Sequence, residues 1–142
     1  MNAPQYGHPY YGQPREGIAI TTQYSVLAWL YAAITPKILL NGYEMPIRGW
    51  GRSILPAVPG QYHVQVYIPY WLPSRAGPAD FTAVVNPGQW VELEYKAPLF
   101  TFSRGSLGPP PQSYNGIGAM IAITVVSALI VIFAAAVLIA TA

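Results

Sequence analysis

The chain contains no cysteine. Disulfides, thiolate metal sites, cysteine nucleophiles and lipoprotein attachment are excluded, and the absence fits a reducing compartment. Charge is also scarce: Asp, Glu, Lys and Arg make up 8% of the 142 residues, against roughly 25% in an ordinary soluble protein. Five acidic residues and two histidines offer few groups for acid–base chemistry. No phosphate-cradling glycine loop, nucleophile elbow or zinc-ligand spacing occurs. Neither catalysis, nor a cofactor, nor a metal is expected. A net charge of +2, scattered along the chain, gives no basic patch for nucleic acid.

The longest charge-free stretch is at the C-terminal side. From Gly105 to Ala142 there is no Asp, Glu, Lys, Arg or His. Its last part, Ile117 to Ala142, reads IGAMIAITVVSALIVIFAAAVLIATA. As a helix rising ~1.5 Å per residue it is about 39 Å long, enough to cross a ~30 Å hydrocarbon core with some tilt. Thirteen of its residues are Ile, Val, Leu or Phe, each favouring insertion by ~0.3–0.6 kcal/mol at the helix centre. Residues 117–142 are therefore expected to form one transmembrane helix, with the lipid bilayer as the first partner.

The opening MNAPQYGHPYYGQPREG has no basic n-region and no apolar core, so a signal peptide is not expected there. All seven Lys and Arg precede the helix, and basic residues prefer the cytoplasmic side. The expectation is a single-pass, tail-anchored membrane protein with its N-terminal domain in the cytoplasm.

Residues 1–16 form a tail rich in Pro, Tyr and Gly, which cannot bury a core and is expected to be disordered. Residues 17–98 read as β structure. In Ile18–Tyr31 a strand places Ile18, Ile20, Tyr24, Val26, Ala28 and Leu30 on one face. A helix over 24–35 competes, because YSVLAWLYAAIT loses alternation towards its end. Asn41-Gly42 signals a two-residue hairpin turn, since both residues tolerate positive φ. Tyr62, Val64, Val66 and Ile68 alternate with polar neighbours, as do Val91, Leu93 and Tyr95. Phe81, Ala83 and Val85 start another strand, turned by Asn86-Pro-Gly-Gln89. Short strands punctuated this way predict a small antiparallel sandwich. Residues 99–116 are expected to link domain and helix, with Gly105 and Gly108 flexing and Pro109-Pro110-Pro111 stiffening. So short a link keeps the domain close to the bilayer surface.

Three segments, Ile38–Gly42, Leu55–Ile68 and Ala83–Tyr95, resemble PEGA-type β domains of bacterial surface and envelope proteins. The resemblance implies an all-β, Ig/PEGA-like sandwich used for binding rather than chemistry, and it names no catalytic residue. The long first strand and the Trp50-Gly51 region depart from the pattern. The Tyr/Pro/Gly tail with a single helix is similar to small uncharacterised actinobacterial single-pass membrane proteins.

His63, Glu92 and Glu94 would approach one another if their strands were neighbours, but an exposed polar face is the expected arrangement. Aromatics point further. Tyr67, Tyr70, Trp71 and Trp90 are the candidate interaction surface, either at lipid headgroup level or against a protein. In the helix, Gly118, Ala122, Thr124, Ala128 and Ala135 are small enough for close helix packing, in a homo-oligomer or with a partner helix. The functional expectation is a β domain that binds a protein partner at the membrane face. The alternative is an accessory subunit held in a larger membrane complex through its helix.

Overall fold

A computed structural model describes residues 15–142. The expected tail over 1–16 lies almost wholly outside the described residues. The described chain forms two four-stranded sheets and one long apolar helix. The strands are β1 (Gly17–Gln23), β2 (Lys37–Leu40), β3 (Tyr43–Met45), β4 (Gly51–Pro56), β5 (Gly60–Pro69), β6 (Arg75–Val85), β7 (Trp90–Lys96) and β8 (Ser106–Gly108), and the helix is α1 (Ile117–Thr141). One sheet has the order β4-β1-β7-β8 and the other β3-β2-β5-β6.

Alternation builds the core. Ile18, Ile20, Leu55, Leu93 and Tyr95 of the first sheet meet Ile38, Leu40, Val64, Val66, Ile68 and Val85 of the second, all buried. Burying each such side chain contributes ~1.5–3 kcal/mol before conformational entropy is counted. Between β2 and β3, Asn41 (φ 51) and Gly42 (φ 83) both take the left-handed backbone that a tight hairpin demands. The Asn86–Gln89 turn is closed by Gln89 N–H donating to the Asn86 carbonyl at 3.0 Å. It carries the chain from one sheet to the other instead of closing a hairpin.

Three expectations are corrected. The first strand stops at Gln23 and does not run to Tyr31. From Val26 to Ala33 the chain makes two short 3₁₀ turns kinked at Ala28 (φ −112°, ψ 41°). Ser25 starts them: its side chain accepts from Leu27 N–H at 3.3 Å and its carbonyl accepts from Ala28 N–H at 2.8 Å. Trp50 stops them, its indole N–H lying 2.9 Å from the Tyr31 carbonyl and 2.8 Å from the Ile34 carbonyl. The Tyr31 carbonyl also accepts from Ile34 N–H at 3.0 Å, and the Trp50 indole adds a donor at this helix end, where carbonyls run short of partners.

The sandwich is also only mostly antiparallel. β1 pairs parallel with β7, Ile18 opposite Val91 and Thr22 opposite Tyr95. The chain leaves the first sheet through the 3₁₀ turns, makes β2 and β3 in the second, and returns as β4 antiparallel to β1. It then makes β5 and β6 in the second sheet and re-enters on the other side of β1 as β7, running the same way. Thr22, the one buried polar residue in this core, exchanges hydrogen bonds with Gly51 at 3.2–3.3 Å. On the outer face, an Arg52–Glu92 ion pair reaches from β4 to β7 across β1.

The third correction concerns 99–116, which is folded onto the domain. β8 adds to β7, Glu94 accepts from Gln112 N–H at 2.6 Å, Ser106 donates to the Ser113 carbonyl at 2.7 Å, and Leu99 N–H donates to the Asn115 carbonyl at 2.8 Å. Gly105, expected to flex, is closely packed. It is buried, and a Cβ there would lie 2.5 Å from the Tyr95 ring and 2.6 Å from the Gly77 carbonyl. The Gly105→Ala variant is therefore expected to lose ~1–3 kcal/mol through overpacking, read as a lower urea midpoint for the β domain; unchanged stability would mean that 99–116 is a slack linker after all.

Candidate interaction surface

The aromatic candidates divide between two ends of the sandwich. Because β1 and β7 run parallel, Gln23 and Lys96 mark one end and Gly17 and Trp90 the other. At the first end lie the 3₁₀ turns, the 70–74 turn between β5 and β6, and the stretch after β7. Tyr70 packs edge-on against Tyr31, ring centroids 6.3 Å apart, and beside Trp71 at 6.4 Å. Trp71 is 81% exposed. Tyr67, near the same end on the outside of β5, lies under the Arg75 guanidinium, 4.5 Å from ring centroid to cation. Trp90 is at the opposite end, half-buried against Gly17, where a Cβ would sit 2.6 Å from the indole ring. Three of the four candidates are thus grouped and Trp90 is apart from them.

The sequence reading missed the neighbours that complete this end. Val26, Leu27, Trp29 and Leu30 project from the 3₁₀ turns, and Phe102 from the stretch after β7; all are exposed, Val26 at 84% and Trp29 at 68%. A strand over 18–31 had put Val26 and Leu30 in the core. The available signal was loss of alternation in a charge-free run, which fits a surface helix with no polar face. Leu27 to Tyr31, Tyr70, Leu99 and Thr101 enclose a cleft of about 120 Å³.

Beneath the cleft are two tyrosines of opposite standing. Tyr95 donates its phenol to the Gly77 carbonyl at 2.6 Å, and burial pushes its pKa well up. The Tyr31 hydroxyl is buried without a hydrogen-bond partner among the described residues, and burial, aided by Tyr70, pushes its pKa up to about 12.

Elsewhere the polar groups are committed to the fold. Glu44 pairs with Lys37 (2.5 Å), Asp80 with Arg104 (2.8 Å) and Glu92 with Arg52. Glu94 holds Gln112, and Glu16 accepts from Gly88 N–H at 2.9 Å. His63 stands on β5, in the other sheet from Glu92 and Glu94 on β7. The neighbouring-strand arrangement that would bring those three side chains together does not occur. A shallower depression at the far end is lined by Arg15, Glu16, Pro56, Ala57 and Val58.

α1 is long and apolar enough to cross a membrane, and none of its residues is buried. At about 100° per residue, Thr124, Ala128 and Ala135 share a stripe, while Gly118 and Ala122 lie about a third of a turn away. Thr124 turns its hydroxyl back to the Met120 carbonyl at 2.8 Å.

No family model, curated protein or solved structure matches the chain.

The two phenols generate opposite expectations. Tyr95→Phe leaves the buried Gly77 carbonyl unpaired and lowers stability by ~1–3 kcal/mol, whereas Tyr31→Phe removes an unsatisfied buried hydroxyl and is neutral or stabilising. An unfolded tyrosine loses its proton near pH 10, before folded Tyr31 does. Stability therefore falls as pH rises from about 10 to about 12. Denaturant midpoints across that range should decline less steeply in Tyr31→Phe than in the unsubstituted chain.

Proposed function

We propose that the protein is a non-catalytic, tail-anchored membrane protein: α1 spans the bilayer once and holds a small β interaction domain at the cytoplasmic face. The observation that carries this reading is α1 itself, 25 residues with no charge and none buried among the described residues. Water solvates such a surface poorly, and acyl chains solvate it well. The commitment of all five carboxylates to ion pairs or backbone N–H groups supports binding over catalysis. So does the segregation of His63 from Glu92 and Glu94.

The finer type of the sandwich is proposed to be PEGA-like. Ile38–Gly42 supplies β2 with its turn, Leu55–Ile68 supplies β5, and Ala83–Tyr95 spans the turn between β6 and β7. Tethering is preferred to service as a complex subunit held through the helix. Thr124 and Thr141 satisfy their hydroxyls on their own helix, so neither requires a neighbouring helix for its polar group.

Full-length protein is expected to stay with membranes through an alkaline carbonate wash, while a chain ending at Gly116 is released. A single cysteine placed by Val58→Cys, in a chain otherwise free of thiols, is expected to resist an impermeant maleimide on intact cells and to react once the cells are opened. Release of the full-length protein by carbonate would end the anchoring reading; labelling on intact cells would reverse the topology. Exchanging α1 for an unrelated membrane helix should leave partner capture intact, and its loss would favour the complex-subunit alternative.

A further inference from the structure

The aromatic end of the sandwich is also the end from which α1 departs. Leu99 lines the cleft with Leu27–Tyr31, and its N–H donates to the Asn115 carbonyl at 2.8 Å. Gly116, immediately before α1, fits so closely that a Cβ would lie 3.0 Å from both the Phe100 backbone nitrogen and the Ser103 hydroxyl. The exposed apolar side chains are thus continuous with the start of the helix.

Charge is arranged around this end in a consistent way. Three segments form it, 24–36, 69–74 and 97–103, and none contains a charged residue. Each is bounded by a cation: Lys37 follows the first, Arg75 follows the second, and Lys96 and Arg104 flank the third. Lys37 and Arg104 are ion-paired. Arg75 and Lys96 have no carboxylate partner among the described residues; each lies over a tyrosine ring, Tyr67 at 4.5 Å and Tyr114 at 4.9 Å. An uncharged aromatic tip with a basic collar matches the layering of a bilayer surface, where indole rings sit at headgroup depth and cations reach the phosphates.

We propose that this end of the domain is seated in the bilayer interface, with Val26, Leu27, Leu30 and Phe102 below the headgroups, the Trp29 and Trp71 indoles at headgroup depth, and Arg75 and Lys96 among the phosphates. The proposal rests on the reading of α1 as a membrane span and adds a second, independent lipid contact. The domain is then held in a fixed attitude, with the Trp90 end facing the cytosol and free for a partner. Peripheral apolar surfaces of this kind enter by ~5–10 Å.

The test uses the full-length chain reconstituted in vesicles of equal parts phosphatidylcholine and phosphatidylglycerol. Nitroxide labels are attached at single cysteines introduced by Leu30→Cys, Trp71→Cys and, at the opposite end, Val58→Cys. All three positions are at or near the surface, and two independent positions report on the proposed contact. The ratio of collision rates with oxygen and with a water-soluble nickel chelate is expected to be severalfold higher at 30 and 71 than at 58. If the protein floats with the vesicles and the three positions give the same ratio, the interfacial seat is wrong and the membrane span stands. If the protein does not float with the vesicles, both fall. Water-like ratios at 30 and 71 in pure lipid, with protection only in native membranes, would assign the surface to a protein partner and overturn the proposal.

Discussion

Along α1 the backbone satisfies its own hydrogen bonds, and none of the side chains is buried among the described residues. Those two conditions together set what the remainder of the molecule must do. A helix closed in this way is at home in hydrocarbon and costly in water. On the proposed reading of α1 as a membrane span, a domain attached to it through Leu99, Asn115 and Gly116 works beside a surface. The 99–116 segment removes the slack that a linker would supply. It is pinned to β7 by β8 and to Glu94 by Gln112, and buried Gly105 lets it pass close to Tyr95.

The same constraint makes sense of features that would be liabilities in a freely diffusing protein. Val26, Trp29 and Trp71 are each more than two-thirds exposed, a poor arrangement for solubility. Trp50 holds the scaffold beneath them by bonding the Tyr31 and Ile34 carbonyls, and Tyr24 packs edge-on against it at 4.9 Å. The 3₁₀ turns that carry Val26 and Trp29 are thus anchored by Trp50.

Much of the sandwich was readable because local pattern decides it. Val64, Val66 and Ile68 point inward with period two, as do Leu93 and Tyr95, and Asn41-Gly42 dictates its own turn. Other features depend on information that local pattern does not carry. Which strand lies beside β1, and in which direction, is set by where the chain returns after building a second sheet. Ser106-Leu-Gly108 is too short and too glycine-rich to announce a strand until β7 offers it a ladder. In 24–35 every residue is compatible with a strand face or a helix turn, and the deciding contact, Trp50, is distant in sequence. The site divides in the same way. Tyr70 and Trp71 stood out as aromatics in a proline-flanked turn, whereas Val26 and Leu30 were hidden by a strand reading that turned them into the core.

The outermost strands carry a last implication. β8 is three residues long and runs straight into Pro109-Pro110-Pro111; β3 is equally short and ends before Pro46; β4 stops at Pro56; and β6 holds Pro78 within its span. Proline and brevity deprive a sheet margin of the donors that another chain would need to zip onto it. Molecules confined to two dimensions collide far more often, and in similar orientations, than the same number in solution. On the proposed membrane reading, blunted margins let many copies crowd one patch of bilayer without fusing into a continuous sheet.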